Sequence, residues 1–295
     1  MAQVAAQHYG SVKRMHAEAR GRSPRNWKAP ASRASIRLRV AYANCAWTNS
    51  AVQAPHPPLL RYYENARDRT SWVRGVFDRT AHDYDRLEAL VGLGTGSWYR
   101  RRALRSAGLK RGMTVVDVGT GTGLLARAAA QIVGDGAHVT GVDPSPGMLE
   151  HAKVPTGVSL VSGSAERIPL ADSCADFLCM GYALRHLSDL SSAFAEFFRV
   201  VRPGGRLCVL EMTLPTGTVQ RAILKGWLCG LVPRIARVVG RRGDGPLLMR
   251  YHWDTIAACV PPDTIQRALR DAGFVDIEHE VELSIFSAYN ARKPG

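Results

Sequence analysis

Hydrophobic positions in this chain become organised from about residue 60 onward. Trp72, Val73, Val76, Phe77, Tyr84, Leu87 and Leu90 recur at the three- and four-residue steps that line one face of a helix. A further helix is expected over 98–107, closed by Gly108. Short apolar runs then alternate with helical ones. Strands are expected over 114–118, 138–142, 158–161, 175–180 and 206–212, and helices over 124–133, 146–151 and 190–201. The helix ending at 201 is expected to stop at Pro203-Gly204-Gly205. Such alternation predicts an α/β fold whose parallel strands are covered on both faces.

Residues 216–258 break the rhythm. Ala222, Ile223, Trp227, Leu228, Leu231, Val232, Ile235 and Val238 form an apolar side, opposed by Arg221, Lys225, Arg234, Arg237, Arg241 and Arg242, with Pro233 expected to break or kink the run. A helix over 261–272 capped by Gly273 and two strands, over 275–279 and 282–289, complete the pattern. Residues 1–55 show no sustained period. They read as a disordered basic extension ahead of a single domain over 56–295, and their Arg-, Ala- and Ser-rich, acid-poor composition also suits a transit peptide or an over-extended start.

Charge changes the picture only after it is divided. The chain carries +14 in 295 residues, but residues 1–60 hold nine Lys/Arg against the single acid Glu18 and account for +8 of it. The remainder is moderately basic, so a nucleic-acid partner is not expected. No apolar run is long enough to span a bilayer. The six cysteines form no C-x-x-C pair and read as reduced thiols. These features suit a cytoplasmic protein, with peripheral membrane contact through 216–258 or a mitochondrial address for the basic segment as alternatives. A homodimer through 216–258 is a further alternative.

Candidate chemistry begins where the strand Val115-Val116-Asp117-Val118 runs into Gly119-Thr120-Gly121-Thr122-Gly123 and then a helix. Glycines at such a turn let the backbone approach a ligand closely. Asp143 ends the second strand about 20 residues further on, where an acid can accept ribose hydroxyls. Ser164-Ala165-Glu166 follows the third strand, where an adenine edge would lie, and Arg202-Pro203-Gly204-Gly205 precedes the fifth. These features in this order point to an adenosyl cofactor; no His/Cys/Asp cluster has metal-ligand spacing, and no metal is expected.

Over about 72–290 the chain resembles the ubiquinone/menaquinone-biosynthesis C-methyltransferase family, UbiE type. The resemblance rests on Val76-Phe77 with Ala81 and Tyr84-Asp85, on Asp117 to Gly123, and on Asp143 with Met148-Leu149. It continues through Ser164-Ala165-Glu166, Leu184-Arg185-His186 with Asp189, and Asp271-Ala272-Gly273-Phe274. It implies a Rossmann-like class I methyltransferase, with a seven-stranded, mostly parallel sheet and helices on both faces, using S-adenosyl-L-methionine. The expected cofactor residues are Asp117, Gly119, Gly121, Thr122, Gly123, Asp143, Ser164, Ala165 and, through its backbone, Gly181. The family's usual Asn is His186 here, and its Ala-Leu-His ending is absent.

The implied acceptor is a prenylated quinol methylated on carbon, in ubiquinone or menaquinone biosynthesis. Such chemistry needs a deprotonated ring oxygen. Arg185 is the first candidate to stabilise it, with an ion pair to a nearby acid as the competing role, and His186 is a candidate general base or an ordinary loop histidine. Tyr84 and Asp85 are expected on a lid helix, and Glu211 toward the substrate side. A soluble secondary metabolite is an alternative acceptor, and a non-catalytic cofactor-binding assembly protein is an alternative of a different class.

Overall fold

The computed structural model describes residues 53–239 and 243–295. Its centre is one seven-stranded sheet of order β3-β2-β1-β4-β5-β7-β6. The strands are β1 (Val115–Val118), β2 (Val139–Asp143), β3 (Ser159–Ser162), β4 (Ala175–Gly181), β5 (Val201–Met212), β6 (Val275–Glu282) and β7 (Phe286–Arg292). β1 to β5 pair in parallel, whereas β7 is antiparallel to both β5 and β6. All four residues of β1 are buried, as expected of a parallel strand covered on both faces. β6 lies at the sheet edge and carries Glu278, Glu280 and Glu282, charges that discourage pairing with another chain.

The helices are α1 (Arg69–Val91), α2 (Gly96–Ser106), α3 (Leu124–Val133), α4 (Pro146–Glu150), α5 (Leu190–Val200), α6 (Thr218–Lys225), α7 (Val232–Val239), α8 (Gly245–Ala258) and α9 (Pro262–Asp271). Phe194 and Phe197 of α5 and Ile265 and Leu269 of α9 fill one face of the sheet. Leu104 of α2 and Leu125, Ala126 and Ala129 of α3 fill the other. Strand order reverses between β1 and β4, so the glycine turn after β1 opens into the crevice where such folds hold ligands.

Four details differ from the sequence reading. β5 starts at Val201 and carries Arg202–Gly205 as a bulge: Ala175 pairs with Val201, and the next partner of the neighbouring strand, Phe177, pairs with Arg206. Lys293 N donates to Gly205 O at 2.9 Å, so the expected turn is sewn to the chain's end. The last hairpin turns at Leu283 and Ser284, both at positive φ (52° and 61°), and β7 therefore begins at Phe286 rather than 282. Pro233 does not break the insertion. The helical run continues through it, and the irregularity is a π-helical stretch at Gly226–Leu231 that leads directly into α7 just ahead of the proline.

The fourth difference is at the N-terminal boundary. Gln53 N donates to Asp189 Oδ1 at 2.7 Å, Leu190 N to Gln53 O at 2.9 Å, and Val260 N to Pro55 O at 2.8 Å. Residues 53–55 thus belong to the fold, while the rest of the expected extension, 1–52, lies outside the described residues. Among the described residues no helix is long and apolar enough to cross a membrane.

Candidate active site

The β1–α3 turn is fixed by β2: Gly119 N and Thr120 N both donate to Val142 O, at 2.8 and 3.1 Å. Gly121 has φ +55°, and a Cβ there would find no atom closer than Met148 Sδ at 4.0 Å. Its bare backbone faces a cavity. Gly123, at φ +83°, is glycine for another reason, because a Cβ would lie 2.3 Å from Val154 Cγ1. Asp117 is fully buried beneath the turn and accepts from Thr120 Oγ1 at 2.7 Å. Burial pushes its carboxyl up to about 7. Neither Asp117 nor Gly123 lines either of the two cavities beside the turn; in this structure both support the turn.

Asp143 lies where β2 meets this turn. Its Oδ2 accepts from Gly121 N at 2.8 Å and its Oδ1 from Ser145 N at 2.9 Å. Burial pushes the carboxyl up to about 6, against the lowering effect of those amides. Asp143, Ser164, Ala165, Gly119, Gly121 and Gly181 all line a cavity of about 330 Å³. Thr122 lines a second, smaller chamber of about 90 Å³ beside it, with Gly119, Gly121, Gly181, Tyr84 and Tyr182 shared between the two.

α1 covers both chambers. Asp78 Oδ1 accepts from Ser145 Oγ at 2.5 Å and from Gly147 N at 3.0 Å, and Asp85 Oδ1 accepts from Thr122 Oγ1 at 2.5 Å. Two helical turns separate the two acids, which puts them on one face. The lid is thereby tied at one point to the β2–α4 turn and at another to the glycine turn. Asp85 on the lid follows the sequence reading. Asp78 and Ser145 were not singled out, although Ser145 ahead of Pro146 carries the signature of a helix cap.

The smaller chamber is walled by Leu87, Val91, Leu125, Met212, Met249 and Phe286. At its junction with the larger one stands Tyr182, at φ +61°, a strained conformation for an aromatic residue. Its amide donates to Leu210 O at 2.7 Å and its carbonyl accepts from Arg185 Nη1 at 2.9 Å. Arg185 is 2% exposed, and its guanidinium is paired with the Glu211 carboxylate, whose Oε2 also accepts the Arg185 amide at 3.1 Å. Arg185 thus forms the ion pair weighed for it and also lines the smaller chamber.

His186 lines the larger cavity with its ring against Phe77, Tyr251 and His252, at centroid distances of 5.2, 5.4 and 5.8 Å. Neither ring nitrogen has a hydrogen-bond partner among the described residues. Burial, then the Arg185 charge, holds this imidazole well below its usual range. The expected general base is therefore a neutral ring with little affinity for a proton near neutral pH; it can still give or accept a hydrogen bond.

Residues 64–288 match the model of the ubiE/COQ5 methyltransferase family. The chain belongs to this family. The ubiquinone/menaquinone biosynthesis C-methyltransferase UbiE of Shewanella halifaxensis is 28% identical over 221 residues, covering 72% of this chain and 87% of the relative. UbiE of Enterobacter sp. is 29% identical, with 72% and 86% covered. Among solved structures, a SAM-dependent methyltransferase from Thermotoga maritima, a possible histamine N-methyltransferase, shares the fold with a TM-score of 0.53 at 20% identity, covering 74% of this chain and 98% of the other. Phosphoethanolamine N-methyltransferase 2 of Haemonchus contortus, solved with S-adenosyl-L-methionine, has a TM-score of 0.51 at 17% identity, covering 77% and 59%.

The methyltransferase is thus an S-adenosyl-L-methionine-dependent enzyme on a Rossmann-like sheet. Its residues fit that cofactor. The absent Cβ at Gly121 leaves the cavity open against the backbone, and the Asp143 oxygens keep lone pairs beyond the two amides they accept.

Proposed function

We propose that this methyltransferase transfers a methyl group to a ring carbon of a prenylated quinol, in ubiquinone or menaquinone biosynthesis. The observation that carries the reading is the chamber beside Gly121 and Gly181, with an apolar wall of Leu87, Val91, Met212, Met249 and Phe286 and a polar side of Glu88, Arg100, Arg185 and His252. A ring with an isoprenoid chain suits such walls. The names of the UbiE relatives support the same substrate class.

When bound, the cofactor supplies an electrophilic methyl group on a sulfonium. In this proposal Asp143 accepts the ribose hydroxyls, Gly119, Gly121 and the Gly181 backbone border the adenosyl group, and Ser164 and Ala165 lie along the adenine. Thr122 acts by holding the lid through Asp85. Lid closure excludes water, and alignment then does much of the catalytic work. Arg185, held by Glu211, fixes the chamber wall and presents a polarised guanidinium edge. His186 serves as a neutral hydrogen-bonding group for an acceptor hydroxyl rather than as a proton acceptor.

Delivery of such an acceptor would come from a lipid surface. Val219, Ile223 and Leu231 of the insertion are 70%, 47% and 44% exposed, and the described stretch from Met212 to Val239 contains no acid, while Lys225 and Arg234 are exposed. That combination suits an anionic bilayer face. A soluble secondary metabolite as acceptor is the second reading, favoured by His186 standing where the family motif has Asn.

The test is a lipid-quinone extract from cells lacking the gene, alongside release of S-adenosylhomocysteine from a reduced demethylated quinone. Accumulation of the demethylated quinone is expected; an unchanged quinone profile refutes the quinol reading.

A further inference from the structure

Arg69 opens α1 and is 6% exposed, yet no carboxylate pairs with it among the described residues. Burying a cation without a counter-ion is costly. Its Nη2 lies 2.9 Å from His56 Nε2 and donates to the Arg185 carbonyl at 3.0 Å, and its Nε has no hydrogen-bond partner. His56 is fully buried, with Nδ1 2.7 Å from the Pro57 carbonyl. That contact puts the proton on Nδ1 and leaves Nε2 as the acceptor for Arg69. Burial, then the Arg69 charge, pushes His56 down to about 4, so it supplies no second charge near neutral pH.

The neighbouring cation, Arg185, is cancelled by Glu211. Arg185 lines the smaller chamber and Arg69 lies behind it; the other ion pair in that lining, Arg100 with Glu88, is balanced, so two guanidinium groups share the single Glu211 carboxylate and one positive charge is uncompensated. Also facing this cluster are Tyr63 on the N-terminal strap, His186 on the β4–α5 loop, Tyr251 and His252 on α8, and Cys259 just beyond it. Burial holds both imidazoles well below their usual range and pushes the Tyr251 hydroxyl and the Cys259 thiol up to about 12. These four groups bring no negative charge.

We propose that Arg69, held by the neutral His56 of the strap, keeps an uncompensated positive charge behind the acceptor chamber, and that this charge favours the ionised form of a phenolic acceptor oxygen. The step is a deprotonation. The acceptor O–H bond breaks, its electron pair stays on oxygen, and the proton passes to water before the lid excludes it. The resulting oxyanion makes the ring electron-rich. Arg69 lines neither chamber and acts across the Arg185–His186 peptide that it anchors, so it is a positioning residue. His56 belongs to residues 53–63, which precede the family match at residue 64. The device is therefore completed by a segment outside the family region.

The proposal rests on a phenolic acceptor, and its test separates the two ideas. Arg69→Met removes the charge at similar volume, His56→Glu adds the missing carboxylate, and Arg69→Lys restores the charge. With a short-chain reduced demethylmenaquinone as probe, Arg69→Met and His56→Glu are expected to lower kcat at pH 7 about tenfold with KM little changed. The rising limb of the pH profile should move up by about one pH unit, and Arg69→Lys should recover most of the rate. Both charge-cancelling variants should melt at or above the wild-type temperature. Loss of rate at every pH with an unmoved midpoint and a lower melting temperature overturns the proposal. 1-Naphthol, titrated by absorbance with the protein, gives a reading independent of quinol turnover: its bound form should ionise at lower pH in wild type than in Arg69→Met. Equal midpoints, or no binding, overturn the proposal. Distinct midpoints without quinol turnover support it and remove only the quinol assignment.

Discussion

Asp143→Asn tests the cofactor site at its narrowest point. The carboxylate spends one lone pair on Gly121 N and another on Ser145 N, and what remains faces the cavity. An amide of the same size presents one oxygen and one NH2, so it cannot accept on both sides, and the charge is lost. A hydrogen bond to an ionised group contributes about 1.5–3 kcal/mol. Losing one strong or two weaker ribose contacts therefore costs about 3 kcal/mol, or roughly a 150-fold rise in Kd. Calorimetric titration with S-adenosylhomocysteine at pH 8 reads this directly.

The pH dependence sharpens that test. The wild-type carboxyl is pushed up to about 6 in the free protein, and ribose hydroxyls favour its ionised form, so affinity should fall as pH drops through about 6. Binding at that pH should release protons, seen as a dependence of the measured heat on buffer ionisation. Asp143→Asn should show neither effect. A variant Kd within threefold of wild type, with unchanged circular dichroism, refutes the placement of the ribose at Asp143.

Other outcomes follow from the same geometry. Asp117 is fully buried with its carboxyl raised to about 7 from 3.8; the folded state holds the proton longer than the unfolded one, so stability falls as pH rises between about 4 and 7. Asp117→Asn should remove that slope and raise the melting temperature at pH 8 but not at pH 4, and an unchanged slope counts against the assignment. Gly121→Val would drive a branched side chain into the cavity at φ +55° and should abolish calorimetric cofactor binding while costing about 1–3 kcal/mol of stability in urea unfolding. Glu211→Gln strands the Arg185 charge and should destabilise by about 3–5 kcal/mol; a loss below about 1 kcal/mol would show that the pair is not buried in solution.

Much of the fold was legible because its signals are local. β1, its glycine turn and α3 occupy consecutive residues, and the alternation of short apolar runs with helical ones needs no knowledge of distant contacts. Asp143 was legible for a related reason, since the strand–helix–strand spacing brings the end of β2 beside the turn in any right-handed crossover. The two strands of the final hairpin were expected as well, but the position of its turn was not. Leu283 and Ser284 take positive φ without a glycine, because pairing of β6 with β7 and of β7 with β5 imposes the turn from outside.

The division of labour within the site is where sequence spacing stopped. Asp117 and Gly123 belong to the glycine motif, yet one is beneath the turn and the other is packed on Val154. Arg185 and Glu211 are 26 residues apart, His56 and Arg69 are 13 apart, and Asp85 meets Thr122 across 37. A charge some distance along the chain reads as a surface residue until packing decides whether it is desolvated and what faces it. Periodicity follows from backbone geometry and is written in the sequence. Which buried charges are cancelled and which are left open depends on the tertiary contacts alone.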